Sequence, residues 1–216
     1  MSVLSPSPPR RAATLLATVV ALVVLSGCAP APASLPQPTG TAYEQMPVPG
    51  RTIAPESPAA DLDLSGQRIA LVLPDQDAAT QTMADAISAT AEDAGASVEA
   101  FPVEAEDTVD DAFAAAVESA PEIVVGVGEG TVDVFSSETA QRLEQQFLLL
   151  GGQLPEPTEN VTAVIWSGAT SRGSGAPADG DSDSGSITLT RAAEAAASGL
   201  ESVQAGVVGV VLHLGD

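Results

Sequence analysis

The sequence predicts an α/β fold, a doubly wound and mostly parallel sheet of five or six strands in a single lobe. From residue 62 onward, apolar segments of strand length alternate with segments of helical period, which is typical of βαβ units. Several strand segments, such as 123–127, are apolar without interruption, as expected where both faces of a strand are covered by helices. Residues 62–216 also have the size of one ordinary domain.

The elements follow in order from the pattern. Residues 68–73 form a continuous apolar strand closed by Pro74, and Asp75 or Asp77 is a candidate N-cap for a helix that runs to about residue 94 and stops at Gly95. The later elements are a strand at 97–103, an acid-led helix at 107–119, a strand at 123–127, a helix at 131–146, and strands at 147–150 and 160–166.

Residues 167–186 interrupt this alternation. The segment is almost wholly small, polar and turn-forming, which predicts a disordered insertion in the α/β domain. Helical spacing returns at 187–203, and 206–214 is predicted to be a last buried strand.

The first 28 residues have the layout of a secretory signal peptide. Arg10 and Arg11 precede an apolar run that ends at Leu25, and small residues lead to Cys28. The run is shorter than the roughly 20 apolar residues of a membrane span, so a permanent transmembrane helix is the second interpretation.

The end of this leader, Leu25-Ser26-Gly27-Cys28, resembles the lipobox of bacterial lipoproteins. That resemblance implies cleavage after residue 27 and lipidation of Cys28 with acyl chains such as palmitate, which place the protein on the extracytoplasmic face of the cell membrane. An unmodified thiol is the alternative, although Cys28 is the only cysteine and an exposed thiol is a liability in an oxidising compartment.

Residues 28–61 are predicted to be a lipid-anchored linker rich in proline and alanine, since they lack the apolar surface of a packed core. Removing residues 1–27 takes away two arginines and no acids, so the formal charge moves from −22 to −24. The chain contains no lysine. This balance excludes nucleic acid as a partner, because that attraction needs clustered cations. The composition also indicates a high-GC bacterium such as an actinobacterium.

The order of elements resembles the N-terminal lobe of periplasmic-type substrate-binding proteins, and most of all the basic membrane protein (BMP) family of lipoproteins. The residues that carry this resemblance are Gly126 to Gly130, Asn160-Val161 and 206–211. It implies a small polar ligand at the strand ends and a role in an ABC-type transporter. The family's first loop carries an aromatic residue, whereas 77–81 has none here.

Candidate ligand-binding residues follow the strands. Gly126, Gly128 and Gly130 lie where ligands commonly approach an open α/β sheet, with Glu129 between them. A plain tight turn is the alternative. Two more candidates are Asp75, after the first predicted strand, and Trp166, at the end of the fifth. The full candidate set is Asp75, Gly126, Gly128, Glu129, Gly130 and Trp166.

Other site chemistries have less support. Asp179, Asp181 and Asp183 alternate as in a calcium loop, but the required glycine and final glutamate are out of place, so no metal site is predicted. One histidine, His213, and one cysteine leave little material for nucleophilic catalysis, and no cofactor motif is present.

The sequence therefore predicts a non-enzymatic, lipid-anchored binding module with a membrane, a small polar ligand and a transporter or envelope protein as candidate partners. A cell-envelope interaction protein that has lost its ligand site is the alternative, and a hydrolase on a flavodoxin-like sheet is the third.

Overall fold

The computed structural model describes residues 48–55, 62–174 and 182–215. The predicted signal peptide, Cys28 and most of the predicted linker lie outside these residues. Every element described here belongs to one unit of the chain, Ala42–Asp216, which is called the second unit below. Among the described residues, no helix is both long enough and apolar enough to cross a membrane.

Seven parallel strands form one open sheet in the second unit. They are β1 (Arg51–Ile53), β2 (Arg68–Leu73), β3 (Ser97–Pro102), β4 (Ile123–Val127), β5 (Gln146–Leu150), β6 (Val161–Ile165) and β7 (Val210–His213). Their spatial order is β1-β7-β6-β5-β4-β2-β3. The predicted α/β class and the doubly wound, parallel sheet are therefore confirmed.

Helices cover both faces of the sheet. They are α1 (Ala78–Asp93), α2 (Val109–Glu118), α3 (Val132–Glu138) and α4 (Leu189–Gln204), with single 3₁₀ turns at Glu129–Thr131, Thr139–Gln141 and Ser184–Ser186. Because side chains alternate along a strand, the core divides into two layers. One layer packs against α1 and α4 and the other against α2 and α3.

The second layer is built around three of the four phenylalanines. Phe113 of α2, Phe135 of α3 and Phe147 of β5 are each no more than 1% exposed. Their ring centroids lie 5.1 to 5.8 Å apart, within the range that aromatic pairs prefer. This cluster fixes the short helix α3, which follows the glycine turn of β4.

Three helix starts, those of α1, α2 and α4, are set by side-chain caps. The Asp77 carboxylate accepts the Thr80 N–H at 2.7 Å, so Asp77 and not Asp75 is the N-cap of α1. Thr108 and Asp111 form a reciprocal capping box at the start of α2. Gly95, at φ +90°, follows α1 as the sequence predicts, in a conformation that L side chains rarely adopt.

The strand count is one or two higher than predicted because of β1. Arg51–Ile53 pairs in parallel with Val210 to Leu212 of β7, within the segment that the sequence assigns to the linker. Three residues with one apolar side chain have no strand period of their own, and the sheet edge supplies their backbone partners. The α/β domain therefore includes β1, and the predicted linker is wrong at these three residues.

Two predicted elements are shorter in the structure. The helix predicted at 131–146 ends at Glu138, and Asn160 holds the loop that follows it. The last strand is Val210–His213 and not 206–214, because Gly206 and Gly209 both adopt positive φ values that break the extended backbone. His213 lies exposed at the strand end.

The predicted disordered insertion is partly ordered. Residues 167–174 and 182–186 are described, and they form bridges between Ala169 and Ser182 and between Gly152 and Ser171. Their backbone groups also bond one another, as where the Asp183 N–H donates to the Gly168 carbonyl at 2.7 Å. The prediction of disorder is wrong for these residues, because neighbouring loops provide hydrogen-bond partners that composition does not show.

Candidate functional site

A crevice opens at the carboxyl ends of β2 and β4. The chain leaves β2 for β3 on one side and returns to β4 on the other, so this is the point where the strand order reverses. Loops diverge at such a point, and open α/β sheets bind ligands there. The crevice has a volume of about 180 Å³.

Four loops and the start of α1 line the crevice, and the loop after β5 does so through Gly151. Pro74, Asp75 and Asp77 come from the loop after β2, and Gly128, Glu129 and Gly130 from the turn after β4. Gly168, Ala169, Ser182, Asp183 and Ser184 come from the insertion. The structure therefore brings four of the sequence-predicted residues together: Asp75, Gly128, Glu129 and Gly130.

Among the described residues, every charged side chain that lines the crevice is acidic. Asp75, Asp77, Glu129 and Asp183 contribute carboxylates, and no arginine or histidine lines it. These carboxylates are exposed. Such a surface disfavours phosphate and carboxylate ligands and favours hydrogen-bond donors and cations.

Each of these carboxylates already accepts one hydrogen bond. Asp75 Oδ1 accepts the Asp77 N–H at 3.0 Å, Asp183 Oδ1 accepts the Gly185 N–H at 2.9 Å, and Asp77 caps α1. The Ser182 hydroxyl donates to Glu129. A carboxylate has about four lone-pair positions, so acceptor capacity remains on all four groups.

The turn from Gly128 to Gly130 mainly makes packing and backbone contacts with neighbouring segments at the bottom of the crevice. Gly128 has φ +76°, a value that favours glycine, and its N–H donates to the Leu150 carbonyl at 2.8 Å. A Cβ on Gly130 would lie 2.7 Å from Pro74 Cβ, so the two loops are in close contact. The plain-turn alternative accounts for these contacts, although Gly128 and Gly130 still line the crevice.

Gly126 and Trp166 lie in the core and do not line the crevice. A Cβ on Gly126 would come within 2.7 to 2.8 Å of Leu149, Thr131 and Phe135, so this glycine admits α3 close to the sheet. Trp166 is 2% exposed and belongs to the layer under α1 and α4. Its indole N–H has no hydrogen-bond partner among the residues that the structure describes.

Sequence reasoning did not select Ser182 and Asp183 as crevice residues. Ser182 lies 53 positions from Glu129 in the chain, and nothing in its local pattern indicates that contact. Asp183 was considered only as part of an alternating acidic run. Asp179 and Asp181 of that run lie outside the described residues. Across the described ranges, no group of three or more His, Cys, Asp or Glu residues is arranged to hold a metal ion.

The carboxyl groups whose pKa is lowered lie away from the crevice. The Arg68 N–H donates to Glu122 Oε2 at 2.7 Å and lowers the pKa of Glu122, joining the amino ends of β2 and β4. The Thr108 hydroxyl lowers the pKa of Asp111 in the capping box. Ser65 does the same for the pKa of Asp63. All three pKa shifts come from hydrogen bonds that lie outside the crevice.

No protein-family model matches the chain, and no curated protein does. One solved structure that it resembles is described as an ABC transporter system solute-binding protein from Aeropyrum pernix K1, at 16% sequence identity and a TM-score of 0.40. The match covers 47% of this chain and 28% of that protein.

Proposed function

We propose that this protein is a lipid-anchored, non-catalytic binding module on the extracytoplasmic face of the cell membrane. In this proposal Cys28 carries the anchor and the crevice between β2 and β4 takes a small polar ligand, in the manner of a substrate-binding or accessory component of a transporter. The observation that carries the binding role is the acidic crevice at the point where the strand order reverses.

The crevice chemistry narrows the ligand class. A volume of about 180 Å³ is below the roughly 300–1,000 Å³ of sites for drug-sized ligands, so the ligand is small. Four carboxylates with spare acceptor capacity favour an amine or a polyol over an anion. Small amines, amino sugars and sugars are therefore the first compounds to test.

Ligand binding is tested by thermal shift on the second unit, residues 42–216, which retains β1. A ligand at 100 times its Kd stabilises the folded state by about 2.7 kcal/mol. In a domain of this size that raises the Tm by about 5–10 °C. The charge-removing variants Asp75→Asn and Glu129→Gln should each reduce the shift produced by a cationic ligand.

Two control variants separate binding from folding. Asp77→Asn removes a crevice charge but keeps the cap, since asparagine caps helices about as well as aspartate. Glu118→Gln removes an exposed carboxylate at the end of α2, outside the crevice, and should leave the shift unchanged. If no small amine, amino sugar or sugar stabilises the domain at millimolar concentration, the ligand proposal fails.

Anchoring is tested on the full chain. Cells fed a palmitate analogue should label the wild-type protein, and Cys28→Ala should lose both the label and membrane association. A wild-type protein that stays at the membrane without the label would instead favour the uncleaved transmembrane helix.

A second function has a specific observation in its favour. Insertion residues pack over the crevice, and Ser182 bonds Glu129, so part of the crevice edge is filled. This arrangement favours a cell-envelope interaction protein that has kept the fold without its ligand. Failure of the ligand screen, together with capture of one defined envelope partner by the anchored protein, would support this alternative.

A further inference from the structure

Exposed apolar side chains concentrate at the amino edge of the sheet, opposite the crevice. Four large apolar residues are exposed among those described: Val48, Leu143, Leu189 and Val207. Three of them, Val48, Leu143 and Val207, lie in the loops just before β1, β5 and β7. Because every strand is parallel, these loops all lie at the same edge.

These loops are also in contact with one another. The Gly50 N–H donates to the Gly209 carbonyl at 2.7 Å, which joins the loops before β1 and β7. A Cβ on Gly50 would lie 2.3 Å from Pro157 Cγ, so the loop before β6 touches the loop before β1. The Asn160 amide donates to the Arg142 carbonyl at 3.0 Å and joins the loops before β6 and β5.

A shallow groove of about 320 Å³ runs through this region, and its lining is half apolar (Pro49, Leu143, Pro157) and half polar (Thr158, Glu159, Asn160). We call Val48, Pro49, Leu143 and Pro157 the amino-edge surface. These residues precede β1, β5 and β6, and β7 lies between β1 and β6, so the surface spans four neighbouring strands and is about 15 Å wide at the 4.8 Å spacing of strands.

The described chain enters the fold at this surface. Nineteen residues separate Cys28 from Val48, so the anchor lies within about 70 Å of the surface, the limit for an extended chain of that length. A tether this short keeps the surface at a high effective concentration near the lipid. A few apolar side chains then suffice for contact, although they would not bind a vesicle from free solution.

We propose that the amino-edge surface rests on the membrane that holds Cys28, so that the crevice opens away from the lipid. This inference depends on the lipid anchor of the proposed function. The crevice lies at the opposite, carboxyl edge of the sheet, about 20 Å away along the strand direction at the rise of a six-residue strand such as β2. The orientation leaves the crevice accessible to ligands and partners outside the cell.

Charge gives the contact an unusual salt dependence. The mature chain has a formal charge of −24, so an anionic membrane repels it. Salt screens that repulsion but leaves apolar contact intact. Contact with anionic vesicles should therefore rise with ionic strength, whereas binding through a basic patch would fall.

The test uses the full lipidated chain in phosphatidylcholine vesicles, with and without phosphatidylglycerol. A fluorophore is attached at Glu144→Cys, beside Leu143, or at Glu106→Cys, in the turn after β3 at the crevice edge. Both positions are exposed. In the lipidated protein the sulfur of Cys28 is joined to the lipid through a thioether, so Cys28 has no free thiol that could react with the fluorophore. Spin-labelled lipid should quench the fluorophore at position 144 several-fold more than the one at position 106.

Variants then test the surface itself. Val48→Ser with Leu143→Ser should abolish the difference in quenching while the protein stays on the vesicles. Leu189→Ser is the matched control, since Leu189 is 64% exposed but begins α4 near the crevice edge, and it should change nothing.

The remaining outcomes are distinct. Equal quenching at both positions on anchored protein overturns the docking proposal and leaves the anchor intact. A fluorescence change at position 144 that persists in detergent and grows with protein concentration overturns the docking proposal in favour of contact between two copies of the chain. Protein that is neither lipidated nor attached to vesicles refutes the anchor, and the docking proposal with it.

Discussion

Replacing Asn160 with aspartate should test how the loop before β6 is held. Asn160 is 3% exposed, and its side-chain N–H₂ group faces the carbonyls of Thr139, Arg142 and Gln145 at 3.0 to 3.2 Å. Its Oδ1 accepts the Thr158 hydroxyl at 2.6 Å. Asn160→Asp exchanges the donor for an acceptor in the same space.

The size of the effect follows from these contacts. Asn160→Ala removes two N–H donors and leaves buried carbonyls short of partners, which costs about 2–4 kcal/mol. That corresponds to a Tm lower by about 5–15 °C in a domain of this size. Asn160→Asp should cost more at neutral pH, because a carboxylate would face three carbonyl oxygens.

The loss should also depend on pH. Burial against carbonyl oxygens raises the pKa of the introduced carboxyl in the folded state above its unfolded value. The folded state then binds more protons, so stability falls as pH rises through the raised pKa. The difference in Tm from the wild type should be smaller at about pH 4 than at about pH 7.

Thermal unfolding followed by circular dichroism measures both effects. Thr158→Val is the matched control, since it removes one hydrogen bond to Oδ1 and should cost about 1 kcal/mol or less. A variant Asn160→Asp as stable as the wild type at neutral pH, or one that loses more in acid, would refute this account of the loop.

Two further predictions concern β4 and the start of α2. Gly126→Ala should destabilise the domain by about 1–2 kcal/mol, because the added methyl overlaps Leu149 and Phe135 while a strand alanine regains part of that cost, and a lower urea midpoint would show it. An unchanged midpoint would contradict a packing role for this glycine. The pKa of Asp111 is lowered chiefly by the Thr108 hydroxyl, so the cap contributes stability above the ordinary value of 3.8 and loses it as pH falls through the lowered pKa. An NMR titration that placed the pKa of Asp111 at or above 3.8 would argue against this cap.

The central strands were predictable because burial on both faces leaves a mark in composition. β2, β4, β5 and β6 are nearly continuous apolar runs, and each lies between two helical layers. Asp77 was predictable as one of two N-caps, since a short polar side chain before a helical period has a local mechanism. Such signals lie within a few residues of the feature they predict.

Part of the crevice could also be predicted from the sequence. Asp75, Gly128, Glu129 and Gly130 follow parallel strands, and the carboxyl ends of parallel strands meet at one edge of a sheet. Gly126 and Trp166 carry the same sequence signal as their neighbours but lie in the core. Whether such a residue lines the crevice or lies in the core depends on the face of the strand or turn that it occupies in the packed domain.

By itself, the sequence determined the parallel α/β class, the central strands and helices, and the edge where a crevice would form, because each depends on local period or on strand direction. Only the tertiary structure decided that Arg51–Ile53 joins β7 and that Ser182 reaches Glu129. It also decided that Val48 and Leu143 share one edge of the sheet. These contacts join residues far apart in the chain, and their energy comes from partners that no local pattern contains.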